Sequence, residues 1–421
     1  MLIILYKLLT FIFYLPYILL IFLRKSIKKE HPSKYKEKIF LNNVTRPKGF
    51  LIWFHAASIG EFKSILPLVE YYLKQNPNNF FLITTVTLTS YNEFEKKFNS
   101  NKRVFHQFLP YDFYFLIENF FKNWRPDIVS FVDSEIWPNF ILKIKKENIP
   151  LILLNARITK KSFSRWKALG ESTRKIFSCF TCCISSSKMT SDYLNNLGAK
   201  NIKFYGNIKF CSSIEEQTNY RNQFKKIFKR KVWCALSTHF DEENLCGKTH
   251  LIAKKKVDNI LTIIIPRHVD RINKIYSSLK NLGLEVQIKE EADDISNSVD
   301  VVLVNYYGSV NKYLKNIKQI FIGKSILEKF ENSGGQNPLE AAKIGCHIYH
   351  GPYVSNFEDI YQFLDNSGIS EEVTNSNDLA NKLDINFKKD SEINSEKIEK
   401  INIFSNEIFN NLIREYNRFI K

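Results

Sequence analysis

The segment GGQNPLE combines residue types that suit the binding of a phosphate group. Gly334 and Gly335 let the backbone approach a ligand closely, and Pro338 fits the first turn of a helix. Unpaired N–H groups at such a helix start attract phosphate, and Glu340 can reach the hydroxyls of a nucleotide ribose. The segment therefore predicts a nucleotide site, although glycines before a helix also serve as plain tight turns.

Three carboxylates occupy turns that follow apolar runs. Glu61 stands behind Gly60 at a predicted strand-to-helix turn, where it can take a proton from a hydroxyl as a general base. Asp133 and Glu135 follow another apolar run, and because residues two apart on a strand share a face, both can face one cleft. The alternatives are structural: Glu61 stabilises the helix that it opens, and Asp133 caps the helix after residues 137–138.

The elements that position these residues are predicted to be parallel strands alternating with helices. Apolar, β-rich runs occur at residues 50–54, 80–85, 127–132, 151–154, 182–185 and 202–205, and again at 232–236, 260–265, 286–288, 301–304, 319–322 and 347–349. Amphipathic segments of helix length separate them, and a polar stretch at 211–231 divides the two series. This pattern predicts an α/β protein with two successive β/α halves built on buried parallel sheets. Ligands of such sheets bind beyond the carboxyl ends of the strands, where the polar clusters fall.

Composition favours a folded protein with an anionic partner. The 421 residues allow two or three domains, and 44% hydrophobic with 14% aromatic residues exclude a disordered chain. A net charge of +18 suits a partner bearing phosphates, although a general bias toward lysine, asparagine, isoleucine and phenylalanine explains it nearly as well. No arginine-rich arm and no aromatic–basic interleaving is present, so a membrane surface is favoured over nucleic acid.

The cysteines and histidines do not form a metal-binding pattern. Cys179, Cys182 and Cys183 are close together, but no second pair at zinc spacing follows them. His239 and His268 also lack acidic partners at ligand spacing. We expect free thiols in a reducing compartment, with no metal and no cofactor.

The N-terminal residues 2–23 are almost wholly apolar, with Lys7 as their only charge. Their length is just enough to cross ~30 Å of hydrocarbon. The segment lacks the basic start and the cleavage site of a signal peptide, so we expect a membrane anchor. Pro16 can kink it, which leaves open whether the anchor spans the bilayer or lies in the interface. Basic residues follow at Arg24, Lys25, Lys28 and Lys29. We expect them to hold this flank of the anchor on the cytoplasmic side.

These clusters, in this order, resemble the 3-deoxy-D-manno-octulosonic acid (Kdo) transferase family of lipid A assembly. The matching motifs are HAASIGE, DSEIWPN, NARIT, GNIKF, STH, PRH, GGQNPLEAA and GPYVSNFEDI. The resemblance implies a GT-B architecture, with two Rossmann-like domains facing a cleft. It also implies that the protein transfers Kdo from CMP-Kdo to a lipid A precursor by an inverting reaction, and that it does so at the cell inner membrane. It divides the chain into an anchor (1–23), an acceptor domain (24–210) and a CMP-Kdo domain (211–421) whose final helix can pack back on the acceptor domain.

The resemblance also implies roles for residues of the first half. Glu61 falls at the position of the family's general base. Asp133 stands where the family usually has a glutamate that stabilises the transition state, and Glu135 can share that role because the aspartate is shorter. Lys209 is expected to neutralise the departing phosphate or to hold the Kdo carboxylate. Arg157 contacts acceptor phosphates or forms a structural salt bridge.

For the second half the resemblance implies a metal-independent CMP site. Residues 307–309 align with a Met-Gly-Glu stretch of the family, and Gly308 preserves the close approach of its backbone to a ligand. Gln336 replaces the histidine that the family usually has. Rival functions are transfer or epimerisation of another nucleotide sugar, or non-catalytic binding of nucleotide or lipid at a membrane, which would not require Glu61. The residues expected to bind CMP are Pro266, Arg267, Tyr307, Gly308, Ser309, Asn337, Pro338, Leu339 and Glu340.

Overall fold

A computed structural model describes residues 2–41, 44–212, 229–291, 294–296, 298–306, 313–314, 316–389 and 395–420, with the backbone alone for residues 2–4. The chain forms two compact units. The first contains Met1–Ser213 together with Ser405–Lys421, and the second contains Ile214–Phe404. The second unit is therefore inserted in the sequence of the first.

The first unit is built on a sheet of seven strands in the order β3-β2-β1-β4-β5-β6-β7. Every neighbouring pair is parallel, so the carboxyl ends of all strands lie at one edge of the sheet. The strands are β1 (Phe50–His55), β2 (Asn79–Thr85), β3 (Val104–Phe108), β4 (Ile128–Val132), β5 (Leu151–Ala156), β6 (Cys182–Ser185) and β7 (Ile202–Phe204).

Several of the helices that follow these strands begin at a hydroxyl side chain that caps their first turn. Ser58, Thr87, Thr159 and Ser187 each accept a hydrogen bond from the backbone N–H three residues later, as N-cap residues do. Between helices and sheet, the buried Trp53 ring packs within 4.7–5.7 Å of the Phe120, Phe131 and Phe140 rings. The helices are α1 (Leu2–Ile12), α2 (Tyr14–Ser26), α3 (Ile59–Gln75), α4 (Leu88–Phe98), α5 (Tyr114–Trp124), α6 (Pro138–Lys146), α7 (Lys160–Ala168), α8 (Glu171–Phe177) and α9 (Lys188–Leu197).

The helix pair α1–α2 is bent by 48° at Phe13. Pro16 explains the break, because its ring excludes the carbonyl of Ile12 four residues earlier and it has no N–H to donate. Within the described residues no single helix is long and apolar enough to cross a membrane. The two helices reach that length and composition only when they are taken together.

The second unit repeats the parallel design, with strand order β10-β11-β9-β8-β12-β13-β14. Its strands are β8 (Lys231–Thr238), β9 (Ile260–Pro266), β10 (Val286–Lys289), β11 (Val301–Val304), β12 (Gln319–Ile322), β13 (His347–His350) and β14 (Ser370–Glu372). The helices that the described residues give are α10 (Glu242–Ala253), α11 (Ile272–Asn281), α12 (Leu339–Lys343), α13 (Glu358–Asn366), α14 (Ser376–Lys388) and α15 (Ser395–Tyr416).

Helix α15 begins in the second unit, and its end belongs to the first. The buried Tyr416 hydroxyl lies 2.7 Å from Ser130 Oγ on β4. Tyr72 of α3 donates to Asn417 Oδ1 at 2.8 Å, and Tyr205 donates to Glu415 Oε1 at 2.7 Å. The last residues of the chain thus complete the core of the first unit.

The predicted α/β class with two parallel sheets is confirmed, but two strands were missed. β3 carries His106 and Gln107 in its centre, so its apolar run is interrupted. β14 has three residues of sequence Ser-Glu-Glu. Both strands lie at sheet edges, where a strand has one neighbour and needs fewer apolar side chains.

Candidate active site

Glu61 lies in the first turn of α3, and its carboxylate is held by the residues that precede the helix. Ser58 Oγ donates to Glu61 Oε1 at 2.7 Å, and the Ala57 N–H donates to Oε2 at 2.8 Å. In return the Glu61 N–H donates to Ser58 Oγ. This reciprocal capping arrangement fixes the carboxylate at the carboxyl end of β1. Glu61 therefore stabilises the start of α3, which was its structural alternative. Its carboxylate also lies at the edge of the sheet where the polar clusters are found.

The pKa of Glu61 is raised to about 7. Burial is the main cause, because it penalises the charged form, and the charges of Asp133 and Glu135 add to it. The hydrogen bond from Ser58 works in the opposite direction. A carboxyl group that titrates near neutrality is matched to general base catalysis at that pH.

Asp133 is the first residue after β4, and it pairs with Lys209. Its backbone is in the left-handed region, with φ 62°. The Asp133 N–H donates to the Leu154 carbonyl at 2.9 Å, and its carbonyl accepts from the Arg157 N–H at 3.2 Å. Its buried carboxylate lies 3.5 Å from Lys209 Nζ. The structure therefore brings DSEIWPN, NARIT and GNIKF together at one sheet edge.

Asp133 does not cap the helix that follows it, contrary to one alternative from the sequence. Helix α6 has Trp137 at its N-cap, and Trp137 offers no side-chain acceptor. The N–H groups of Asn139 and Phe140 donate instead to the two carboxylate oxygens of Asp112, each at 3.0 Å. Sequence analysis missed Asp112 because it follows β3, a strand that was not predicted.

Glu135 has a different environment from Glu61. The Trp137 indole N–H donates to Glu135 Oε2 at 2.7 Å, and His55 Nε2 lies 3.3 Å from the same oxygen. Burial works to raise the pKa of Glu135, but these hydrogen bonds and the His55 ring together hold it below its usual value. We call residues 133–137 the acidic loop. It presents one carboxylate paired with Lys209 and one that is kept ionised.

Asn155 holds the segment that carries Lys209. Its buried side chain accepts from the Ile208 N–H at 3.0 Å, and Asn207 Oδ1 accepts from the Lys209 N–H at 3.1 Å. Within NARIT, Arg157 was the residue predicted from the sequence to be functional, whereas the residue that positions the Lys209 segment is Asn155. The sequence feature that could have identified Asn155 is an asparagine at the end of a buried strand.

In the second unit, Glu242 organises the loops that follow β8 and β12. It lies at the start of α10 and accepts from the N–H groups of His239, Lys324 and Ser325 at 2.6–2.9 Å. A Cβ at Gly323 would lie 2.6 Å from Thr238 Cα, so only glycine allows this approach. Glu242 was not predicted from the sequence, although an acidic residue three positions after STH at a helix start was a usable signal.

The STH, PRH and GGQNP motifs meet beside these loops. Arg267 follows β9, is exposed, and donates its N–H to the Thr238 carbonyl at 3.0 Å. The His239 ring lies 5.6 Å from the His268 ring, and Gln336 Nε2 lies 3.4 Å from His239 Nε2. Burial, together with the charges of nearby lysine and arginine side chains, lowers the pKa of His239 to about 4. Such a cationic surrounding favours an anionic ligand.

The two glycines of GGQNP pack against other segments of the protein, so their backbone is not open to a ligand. A Cβ at Gly334 would lie 2.0 Å from the Tyr353 carbonyl oxygen, and Gly335 has φ +91°. The Gly335 N–H donates to the Lys324 carbonyl at 2.7 Å, and Gly334 accepts from the Asn356 N–H at 2.9 Å. These glycines join GPYVSN to the loop after β12.

The helix after GGQNP is shorter than a dipole-based phosphate site requires. Helix α12 has five residues, with Pro338 at its N-cap and Asn337 Oδ1 accepting from the Leu339 N–H at 3.1 Å. The Leu339 side chain is buried, whereas Asn337 and Glu340 are exposed. The expected contacts of Tyr307, Gly308 and Ser309 lie outside the described residues.

The described residues contain no cluster of three or more histidine, cysteine, aspartate or glutamate side chains that could hold a metal ion. The seven cysteines are free thiols, and six of them are buried. Burial raises the pKa of Cys182 to about 11, which keeps that thiol protonated.

The family model for 3-deoxy-D-manno-octulosonic-acid transferase (kdotransferase) matches residues 29–212. A curated 3-deoxy-D-manno-octulosonic acid transferase of Rickettsia bellii is 31% identical over 385 residues, which cover 90% of this chain and 90% of that protein. A crystal structure of a glycosyltransferase from Rickettsia africae aligns with TM-score 0.59 and 14% identity, over 89% of this chain and 100% of that one.

The same fold also occurs in proteins with another reaction. A putative UDP-N-acetylglucosamine 2-epimerase from Listeria monocytogenes aligns with TM-score 0.60 and 12% identity, over 88% of this chain and 97% of that one. Because these structural identities are low, they establish the two-domain fold alone.

Proposed function

The chain belongs to the 3-deoxy-D-manno-octulosonic acid (Kdo) transferase family and is a glycosyltransferase, and from this premise we propose that it moves Kdo from CMP-Kdo to a lipid A precursor with inversion at the anomeric carbon. The observation that carries the proposal is the Glu61 carboxyl, which is fixed by Ser58 and Ala57 and has a pKa of about 7. Such a group can accept a proton at neutral pH while the attack occurs.

In the proposed reaction a hydroxyl oxygen of the acceptor bonds to the anomeric carbon of Kdo as the bond from that carbon to the CMP phosphate oxygen breaks. Glu61 takes the hydroxyl proton, and CMP leaves with the electron pair of the broken bond. Lys209 neutralises charge on the departing phosphate or on the Kdo carboxylate. Asp133 holds the Lys209 ammonium in place, which is supported by the 3.5 Å distance between them.

We assign CMP to the loops of the second unit. Arg267, Lys324 and Arg271 surround His239 with positive charge that suits one phosphate group. Asn337 and Glu340 are exposed beside Gln336, where an amide and a carboxylate can pair with ribose hydroxyls. The residues of the second unit that the sequence singled out therefore stay candidates for nucleotide contacts.

We further propose that the helix pair α1–α2 binds the cytoplasmic face of the inner membrane, where the acceptor lipid resides. Tyr6, Tyr14, Tyr17 and Ile21 face the domain, whereas many of the other large apolar side chains of the pair are exposed. An apolar face of this kind, followed by basic residues, is typical of a helix lying in the membrane interface. The side chains exposed to solvent include Leu8, Phe11, Ile12, Phe13, Leu15, Leu19, Leu20 and Leu23.

The direct test is incubation of the protein with CMP-Kdo and a tetraacylated lipid A precursor, followed by mass spectrometry of the lipid. We expect a product heavier by one or more Kdo groups, and the mass gives their number. Release of CMP without a heavier lipid, or turnover of a UDP-sugar instead, would favour the rival transferases and epimerases that share the fold.

A further inference from the structure

The acidic loop is supported from outside by the N-terminal helix pair. Pro138 starts α6 and has no N–H, so the helix presents the N–H groups of Asn139 and Phe140 to a partner. Both donate to Asp112, which has 1% of its surface exposed. The Asn139 side-chain amide also donates to the Asp112 carbonyl at 2.7 Å. Asp112 is therefore the cap that α6 cannot obtain from its own sequence.

The helix pair supplies a further hydrogen bond to this cap. The Tyr6 hydroxyl in α1 donates to Asp112 Oδ2 at 2.8 Å, the oxygen that also accepts from Asn139. Because this carboxylate is buried, a missing donor is not replaced by bulk water. The position of α1 is thus linked through one carboxylate to the first turn of α6.

A second route of contacts runs from α2 to Trp137, the last residue of the acidic loop. The Tyr17 ring stacks on Tyr111 with a centroid distance of 3.8 Å. Tyr111 in turn contacts Trp137 edge-on at 5.9 Å, and the Trp137 indole donates to Glu135. Both routes lie within the first unit; the first ends on the first turn of α6, directly after Trp137, and the second ends on Trp137 itself, which donates to Glu135.

We propose that Asp112 is a positioning residue which, with Tyr6 and Tyr17, ties the helix pair to the acidic loop, so that the contacts of these two tyrosines, and not the other contacts of the pair, set the rate of glycosyl transfer. This inference rests on the proposed function for its kinetic meaning. The helix pair then does more than hold the protein at a lipid surface, because it supports Glu135 and its neighbours in the site. Loss of the Tyr6 or Tyr17 contact lowers turnover even when the acceptor is dispersed in detergent.

Two conservative variants of the full chain test the proposal. Tyr6→Phe removes the hydroxyl that donates to Asp112. Tyr14→Phe is the matched control, because it removes a hydroxyl of the same helix pair that donates to the Ile39 carbonyl at 2.7 Å, away from the acidic loop. We expect Tyr6→Phe to lower kcat about fivefold with KM unchanged, the equivalent of one ordinary hydrogen bond, and Tyr14→Phe to leave kcat unchanged. CMP affinity should be the same in both.

A spectroscopic measurement tests the link between Tyr6 and the acidic loop without any substrate. The chain has five tryptophans, so protein labelled with 5-fluorotryptophan gives few fluorine resonances, and Trp137→Phe assigns the relevant one. That resonance should shift in Tyr6→Phe and stay in place in Tyr14→Phe. An unchanged kcat or an unchanged resonance in Tyr6→Phe overturns the proposal. If the wild type transfers no Kdo, the proposed function fails, and the fluorine comparison alone then supports or overturns the link.

Discussion

The pKa values of Glu61 and Glu135 are shifted in opposite directions, although both carboxyl groups are shielded from water. Glu61 accepts from a serine hydroxyl and one backbone N–H, and burial raises its pKa to about 7. Glu135 has an indole N–H and an imidazole beside it, which hold its pKa below the usual value against the effect of burial. Separated pKa values allow one carboxyl group to take up a proton while the other keeps its charge.

The first prediction at the residue scale concerns Glu61→Gln. Turnover should fall by roughly 10²–10⁴-fold because the amide cannot accept the proton of the attacking hydroxyl. The amide oxygen can still cap α3, so the melting temperature should change little. Measuring kcat with saturating CMP-Kdo, beside thermal unfolding, checks both statements. Near-wild-type turnover would move the base elsewhere, and Glu135→Gln would then be the next variant to assay.

The second prediction follows from the pKa of Glu61. A general base must be deprotonated, so kcat/KM should rise as the pH increases through about 7 and then level off. Ser58→Ala removes a hydrogen bond that lowers this pKa, so the rise should move to higher pH. It also removes the cap of α3, at a cost of about 1 kcal/mol in stability. Thr159→Ala removes an equivalent cap from α7 and should leave the pH profile unchanged. An identical profile in Ser58→Ala would exclude Glu61 as the titrating group.

The stability contribution of Glu61 has the opposite pH dependence. Its folded pKa of about 7 exceeds the ordinary value of 4.5, so the native state binds the proton more tightly than the unfolded chain does. The contribution is complete below pH 4.5 and is lost as the pH rises through about 7. The pH range that activates the base is therefore the range in which its charge opposes folding.

At the scale of elements, loops in the second unit depend on one helix start. Glu242 joins the loop after β8 to the loop after β12, and Gly335 joins the latter to GGQNP. A ligand bound among these loops therefore meets groups whose backbone positions are already fixed. Preorganisation of this kind reduces the entropy that binding must overcome.

The third prediction tests the nucleotide assignment in these loops. Glu340→Ala should weaken CMP binding by roughly 1–3 kcal/mol, because ribose hydroxyls covered by the protein lose their acceptor. Glu340 is exposed, so the fold should be unaffected. Glu358→Ala, at the exposed start of α13, is the matched control. Calorimetry with CMP and UDP is the measurement. Equal affinity for both nucleotides, or no loss in Glu340→Ala, would refute the assignment of CMP to this pocket.

The elements that sequence analysis identified are those with a continuous apolar run. The strand predicted at residues 182–185 matches β6, and the one predicted at 319–322 matches β12. Prediction from sequence is weaker where a contact depends on a distant residue. The cap of α6 by Asp112 is an example, since the two are brought together only by the sheet order. GGQNP is another, because the carbonyl of Tyr353 leaves no room for a side chain at Gly334.

For the whole molecule, the helix pair presents an apolar face that the protein itself does not cover. Leu15 and Leu19 are 70% and 65% exposed, although both lie in a helix that packs on the domain through Tyr17 and Ile21. Burying a leucine side chain contributes roughly 1.5–3 kcal/mol, so a few of them can hold a protein at a lipid surface.

The fourth prediction is that Leu15→Glu combined with Leu19→Glu releases the protein from vesicles of anionic phospholipid. Sedimentation with the vesicles should show binding weakened by at least about tenfold, because two carboxylates replace apolar contacts. Ile385→Glu, at an exposed apolar residue of α14, is the control and should bind as the wild type does. If the double variant still sediments with vesicles at high salt, a different apolar surface holds the protein there.

The position of α15 in the chain has a consequence for synthesis on the ribosome. The first unit needs the segment after Ser405, yet Ile214–Phe404 must be translated before that segment emerges. At about 5–20 residues per second, the wait is on the order of 10–40 s. During that time Phe54 lacks the Tyr416 ring that covers it, and Ser130 lacks the Tyr416 hydroxyl. The nascent first unit therefore exposes part of its core until the last turns of α15 have been translated.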